Sequence, residues 1–278
     1  MRPALLSRDA LKAAATGAIV PVVVVAIWQG LSVSGWIDHA LLAGPWEVLL
    51  RWWAYLTPAE PYDPAVSGWV AWALSGELPS DAVASLYRVL AGFLLGTALA
   101  LPLGILMGAS ERVYRLANPT IQLLRPIPPI AYIPVAILWF GLGNPPAVFL
   151  ITIGAFFPVL MNTIAGVRNV DGIYIRAARN LGAGPLTLFW RVMLPAATPY
   201  ILTGARIGIG TAFIVVIVAE MIAVNNGLGF RILEAREYFW SDKIIAGMAS
   251  IGLLGLAIDG AMSRLNARLL RWHRGLEP

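Results

Sequence analysis

The stretch Asn169-Val-Asp171-Gly-Ile-Tyr174-Ile-Arg176-Ala177-Ala178-Arg179-Asn180-Leu181-Gly182-Ala183-Gly-Pro185-Leu-Thr-Leu-Phe189-Trp-Arg191-Val-Met-Leu194-Pro195-Ala-Ala-Thr-Pro199 decides how the chain folds. Long apolar runs flank it on both sides, yet this segment is too polar and too broken by glycine and proline to cross a membrane. It reads as two short amphipathic helices, about 172–181 and 185–193, parted by Gly182-Ala183-Gly184. Asp171 is placed to cap the first helix, and Gly182 suits the left-handed residue that ends it. Pro185 fits the first turn of the second helix, and Pro195 is expected to stop it. Three arginines within the segment hold it out of the bilayer on the cytoplasmic side.

Composition sets the surroundings. Of 278 residues, 59% are hydrophobic and 13% charged, with a mean hydropathy of +0.75. Soluble domains sit near half apolar and a quarter charged, so the chain reads as an all-α integral membrane protein. The net charge of +5 comes from basic residues that punctuate apolar runs and form no continuous stripe. That pattern reflects membrane topology and argues against nucleic-acid binding. With no cysteine there is no disulfide framework and no thiolate metal site. The two histidines, His39 and His273, lie outside the apolar runs, so no metal site is expected within the membrane.

Working outward, residues 1–16 form a basic cytoplasmic segment, and 17–278 a transmembrane domain. The first apolar run, about 17–36, is read as a retained span. A signal peptide cleaved near Ser32-Val-Ser34 is the alternative. Residues 37–85 are amphiphilic and rich in tryptophan, which suggests outer interfacial helices at about 45–56 and 64–78. Such a region serves either as a landing surface for an extracytoplasmic partner or as plain interfacial anchoring. Further spans are expected at about 86–109, 119–142, 145–166, 199–224 and 244–262, making six, with a basic tail at 264–278. Thirteen of the 20 basic residues then fall inside. Four (Arg51, Arg231, Arg236, Lys243) fall outside, and Arg88, Arg125 and Arg206 lie in or at the ends of spans. This bias places both termini in the cytoplasm. Gly92-xxx-Gly96, Gly104-xxx-Gly108 and Gly204-xxx-Gly208 permit close helix packing. The third span carries Arg125-Pro-Ile-Pro-Pro129 and Pro134, and so either bends beside a solute path or simply bends. Glu220, a carboxylate in an apolar run, either gates a path or pairs with a neighbouring helix.

The run Arg176-Ala-Ala-Arg-Asn-Leu-Gly182-Ala183, followed by Phe189, Val192 and Leu194-Pro195, resembles the "EAA" loop of ABC-importer membrane subunits, with Arg176 where the motif has its leading Glu. Arg125-Pro-Ile-Pro-Pro129, with Trp139-Phe140-Gly141-Leu142-Gly143 beyond it, is similar to a pattern of the nitrate, taurine, sulfonate and bicarbonate branch. Gly227-Leu-Gly-Phe230 resembles a segment of the same branch. The resemblance implies a type I importer-like permease with six transmembrane helices and a cytoplasmic coupling helix, in a bacterial inner membrane. It implies that Tyr174, Arg176, Ala177, Ala178, Asn180, Leu181, Gly182, Ala183, Phe189, Leu194 and Pro195 contact an ATPase. Pro129, Trp139, Phe140, Asn162 and Glu220 are the residues assigned to a translocation pathway. Implied partners are a second copy, two ATP-binding subunits carrying ATP and Mg, and an extracytoplasmic solute-binding protein. The solute is expected to be a small anion such as taurine or another sulfonate, nitrate or bicarbonate.

The residues agree with that division of labour. No phosphate-binding G-x-x-x-x-G-K-[ST] loop is present, and the only lysines are Lys12 and Lys243, so the chain is not the motor and needs no cofactor of its own. No catalytic residues stand out. The competing reading is a gradient-driven carrier or channel that uses Glu220 or Asp259 and has no ATPase partner. If Glu220 lines a path, Glu220→Gln should change transport more than membrane abundance.

Overall fold

A computed structural model describes residues 8–58, 60–64 and 68–270. The rest of the expected N-terminal segment, residues 65–67 of the second outer helix, and Arg271 and Arg274 of the tail lie outside the described residues. The described residues are helical or irregular. In order, α1 is Arg8–Val33, α2 Pro45–Leu56, α3 Trp69–Ala73, α4 Glu77–Ala109, α5 Glu111–Leu124 and α6 Ile133–Phe140. Then follow α7 Asn144–Arg168, α8 Gly172–Asn180, α9 Pro185–Leu188, α10 Leu194–Ala223, α11 Leu228–Glu237 and α12 Ser241–Leu269. Five helical stretches among these are long and apolar enough to cross a bilayer, or six when the bent pair α5–α6 is counted as one.

Three expectations are corrected. The third span bends at its prolines as expected but begins at Glu111 instead of about 119: α5 ends at Leu124, a 3-10 turn covers Pro129–Tyr132, and the two halves are bent by 82°. Pro126, Pro128 and Pro129 have no N–H to donate and disfavour helix in the residue before them, so the ladder cannot cross this point. The second correction concerns Pro195, which does not stop a helix. A π-turn over Phe189–Met193 leads directly into α10, where the Leu194 N–H reaches back to the Phe189 carbonyl. Pro195 then occupies the first turn of α10, and Pro185–Ala223 runs on as one 39-residue helical stretch. The third is the outer helix expected at 64–78. Among its described residues α3 is a short helix that ends at Ala73, and Glu77 already begins α4, which takes Asp81 and Ser85 into a span expected to start at 86.

The described residues divide into two compact units. The smaller is drawn from Met1–Pro79 with Ile232–Ala249. In it α2 matches the expected range, with the Gly44 N–H bonded to Glu47 at 3.1 Å across its first turn. Val48 and Tyr55 are buried, whereas Trp46, Leu49, Leu50 and Trp53 are exposed, as an interfacial helix requires. Trp28 of α1 donates to the Ala43 carbonyl at 3.0 Å, and Arg51 pairs with Asp242 at 2.6 Å.

The larger unit, Ser80–Arg231 with Ser250–Pro278, is built around α7. In lipid no hydrophobic effect drives helices together, so close backbone approach and dispersion must do it. Gly92, Gly96, Gly104 and Gly108 of α4 lie against Ile151, Thr152, Thr163 and Val167 of α7. On its other side α7 meets Gly204 and Gly208 of α10 through Asn162 and Val159. Leu150, Ile151, Val159, Leu160, Val215 and Val216 fill the core between these contacts.

A Cβ on Gly104 would stand 2.7 Å from the Thr163 Cβ, whereas one on Gly252 meets nothing within 4 Å. Gly104→Val is therefore expected to cost about 1–3 kcal/mol through overpacking and to lower the thermal midpoint in detergent. Gly252→Val should leave that midpoint in place.

Candidate functional site

Short-range chemistry builds the loop at 169–199. The Asp171 carboxylate accepts the Ile173 N–H at 2.8 Å and caps α8. At the other end the N–H of Gly182 reaches the Arg179 carbonyl and that of Ala183 the Ala178 carbonyl, at 2.9 and 3.0 Å. Gly182 sits at φ +82°, the left-handed conformation that glycine adopts without strain. Gly184 caps α9 in extended backbone with Pro185 in its first turn. Each of these features was legible in the sequence.

This geometry pushes an apolar surface outward. Leu181 is 88% exposed and Leu186 74%, with Ile173, Tyr174 and Trp190 exposed as well. Arg176, Ala177, Asn180 and Gly182 share that exposure, whereas Ala178, Ala183, Phe189 and Leu194 are half-buried and Pro195 is exposed. A patch of this kind on short projecting helices is the mark of a docking surface. Behind it lies a cavity of about 1000 Å³ lined by Gly108, Glu111, Arg168, Arg179 and Phe189. Glu111 accepts from Arg168 at 3.0 Å and from Arg115 at 2.9 Å, and Arg168 lies over the Tyr114 ring at 4.2 Å. The end of α7 is thus tied to the start of α5 beside the loop.

The residues assigned to a pathway do not all converge. Pro129 and Asn162 line one cleft of about 390 Å³ beside the break between α5 and α6, together with Gly154, Pro158 and Ile207. Arg125 lines the same cleft, exposed, its side chain without a hydrogen bond or ion pair among the described residues. Trp139 and Phe140 stand elsewhere, packed on Phe149 with ring centroids 6.0 and 5.4 Å away.

Glu220 is fully buried in a polar knot. It accepts from Arg88 Nη1 at 2.7 Å, Ser85 Oγ at 2.9 Å and the Gly229 N–H at 2.9 Å. Arg88, 2% exposed, also bonds Asn144 Oδ1 at 2.7 Å, the Asn226 carbonyl at 3.2 Å and the Asn226 side-chain oxygen. Asp81 accepts the Gly227 N–H and Arg231 Nε, both at 2.8 Å. Gly227, at φ +106°, has no room for a side chain, since a Cβ would lie 2.6 Å from both Glu220 oxygens. The structure thus favours pairing over gating for Glu220. Sequence reading missed Ser85 and Arg88 as its partners, and Asp81 as the anchor of the neighbouring Gly227 and Arg231. Their spacing of four and then three residues puts them on one helical face, and that was the available signal.

Helices long enough to span, a kinked span beside a cleft and an exposed apolar loop are the features of a multi-pass membrane protein of the permease kind. Residues 100–271 match the family described as binding-protein-dependent transport system inner membrane component. The chain belongs to that family and is a multi-pass inner-membrane permease subunit. It is 36% identical over 251 residues to the taurine transport system permease protein TauC of Escherichia coli, covering 90% of this chain and 87% of that one. Similarity to the nitrate import permease protein NrtB of Leptolyngbya laminosa is 35% over 187 residues, 67% of each chain. A protein of Methanocaldococcus jannaschii, named provisionally as an ABC transporter permease, is 44% identical over 201 residues, 72% of this chain and 75% of its own. In fold the chain resembles a chain of the inward-facing MetNI methionine ABC transporter, with a TM-score of 0.63 at 20% identity, covering 70% of this chain and 97% of that one.

Removing one partner of a buried ion pair strands the other charge, at a cost of about 3–5 kcal/mol. Glu220→Gln is therefore expected to lower thermal stability and membrane abundance while leaving transport per folded molecule near wild type. Parallel measurements of detergent melting and of uptake normalised to protein check this. A stable variant with altered transport would return Glu220 to a pathway role.

Proposed function

We propose that this permease drives import of a small anion when a separate ATPase pair hydrolyses ATP, with the 169–199 loop as the coupling element. The projecting apolar surface of α8 and its flanks carries the reading. Ile173, Tyr174, Leu181, Leu186 and Trp190 are too exposed for a free cytoplasmic loop and suit insertion into a partner groove. Closure of the ATPase dimer then moves α8. The Arg168–Glu111 pair and the continuous stretch from Pro185 into α10 carry that motion into the spans. The break at Pro126–Pro129 supplies a hinge, since backbone there has no ladder to lose.

The rest of the assembly follows on this reading. Both termini are cytoplasmic, as the distribution of basic residues supports. One coupling loop per chain calls for two copies around a shared path and two ATP-binding subunits, with ATP and Mg held on those partners. An extracytoplasmic binding protein delivers the solute. The chain itself performs no catalysis, binds no cofactor and has no nucleic-acid partner. Relatives named for taurine, sulfonates and nitrate support a small oxyanion as cargo. The gradient-driven alternative loses ground, because Glu220 and Asp259, the carboxylates it would use, are both ion-paired.

Gly182→Pro cannot adopt the observed positive φ, and Ala177→Trp places bulk on the docking face. Both variants are expected to reach the membrane normally yet lose uptake and solute-stimulated ATP hydrolysis. Tagged protein purified from its native host should bring down a stoichiometric ATPase. Uptake that persists in both variants, or purification of the chain alone with ATP-independent transport in liposomes, would refute the coupling assignment.

A further inference from the structure

Two of the ion pairs that join spanning helices differ in kind. Arg88–Glu220 is sealed, with exposures of 2% and 0%, and every neighbour described above helps to saturate it. Arg206 of α10 and Asp259 of α12 form a two-point fork, Nε to Oδ1 at 2.9 Å and Nη2 to Oδ2 at 2.8 Å, and remain 48% and 52% exposed. Among the described residues neither side chain has a further partner, so donors of the guanidinium stay open. Arg206 lies about 18 Å along α10 from Leu194, and Asp259 about 15 Å from the end of α12 at Leu269, taking a rise of about 1.5 Å per residue. The apolar spans start later and end sooner than these helices: Arg206 is about 10 Å inside the span that begins near Pro199, and Asp259 about 5 Å inside the one that ends near Met262, so the pair stands in the inner part of a hydrocarbon core of about 30 Å.

Charges at that depth do not face lipid; they face protein or a water-filled path. The surroundings select the path. Thr203, Arg206, Ile207, Gly210 and Ile214 recur at helical spacing and are all exposed, so they form one open face on α10. Ile207, next to Arg206, also lines the cleft that holds the unpaired Arg125. At Gly210 that face is open space.

We propose that Arg206 receives the solute's oxyanion inside the membrane, with Asp259 as the counter-ion it holds when no solute is there. The proposal rests on the importer reading for its cargo. A guanidinium fork matches planar carboxylate, nitrate and sulfonate oxygens as well as it matches Asp259. Exchange of one oxyanion for another keeps the fork filled at each stage. Asp259 also cancels the arginine's charge when the path is empty, which prevents a lone cation in low dielectric from trapping the anion.

The chain has no cysteine, so single cysteines report cleanly. Thr203→Cys and, as a reference among the exposed leucines of α4, Leu99→Cys are labelled in permeabilised membranes with a charged methanethiosulfonate, with and without nitrate, taurine or bicarbonate. Cys at 203 should react and Cys at 99 should not. At least one of the three anions should slow labelling at 203 about tenfold, the factor expected for a two-point charged contact. Arg206→Gln in the same background should abolish that protection. If that variant is lost from the membrane, Arg206→Lys, which keeps the charge but not the fork, should weaken protection. A residue 203 that reacts no faster than 99, protection by none of the three anions, or protection unchanged in the Arg206 variants would overturn the proposal. Arg206-dependent protection in a chain that purifies without an ATPase would refute the importer reading and leave the oxyanion subsite standing.

Discussion

Lipid offers no hydrogen bonds, and that constraint governs this molecule. Each backbone polar group in the bilayer must be satisfied within the protein, so spans are helical and any interruption needs an internal reason. The interruption between α5 and α6 has one: consecutive prolines lack the N–H groups that would otherwise be stranded, and the exposed turn borders a cleft. The π-turn before α10 obeys the same rule, because it lets Pro195 enter a helix without leaving a broken ladder behind it.

The same absence of water explains why glycine and charge carry so much of the packing. With apolar side chains no better solvated by one another than by lipid, helix association depends on close approach. Glycines on α4 and α10 let both helices meet α7 nearly backbone to backbone. The Arg88–Glu220 knot fastens α4, α10, the start of α7 and the 225–231 segment at one place. Buried ion pairs add little net stability, but they specify partners strongly, since a misplaced charge in this medium is expensive. The larger unit therefore has a stiff body around α7, and its open features lie apart from the knot: the broken helix, the face of α10 and the loop at 169–199.

That loop holds its conformation by local means. Asp171, Gly182 and Pro185 each act over two or three residues, so α8 keeps its shape while its apolar surface stays exposed. Stiffness inside the loop and continuity from Pro185 into α10 together suit an element that transmits displacement.

Local chemistry is what the chain discloses by itself. Apolar length, basic flanks and glycine spacing defined the spans and the membrane class, and caps and turns defined α8 and the start of α9. The first half of the 169–199 loop was readable almost residue by residue, because each determinant lies within a few positions of its effect, whereas the π-turn that carries Pro195 into α10 was not. Elements that depend on distant partners were not readable. Glu220 was ambiguous in one dimension because its partners Ser85 and Arg88 are more than 130 residues away along the chain. Trp139 and Phe140 share a motif with Pro129 but not a cleft, because they stand at the far end of the Pro129–Phe140 half of the bent pair, ten residues along. The pairing of Arg206 with Asp259, and the open face beside it, exist only once α10 and α12 stand together. Charge partnership is set by proximity in space, and only the packing of helices creates it.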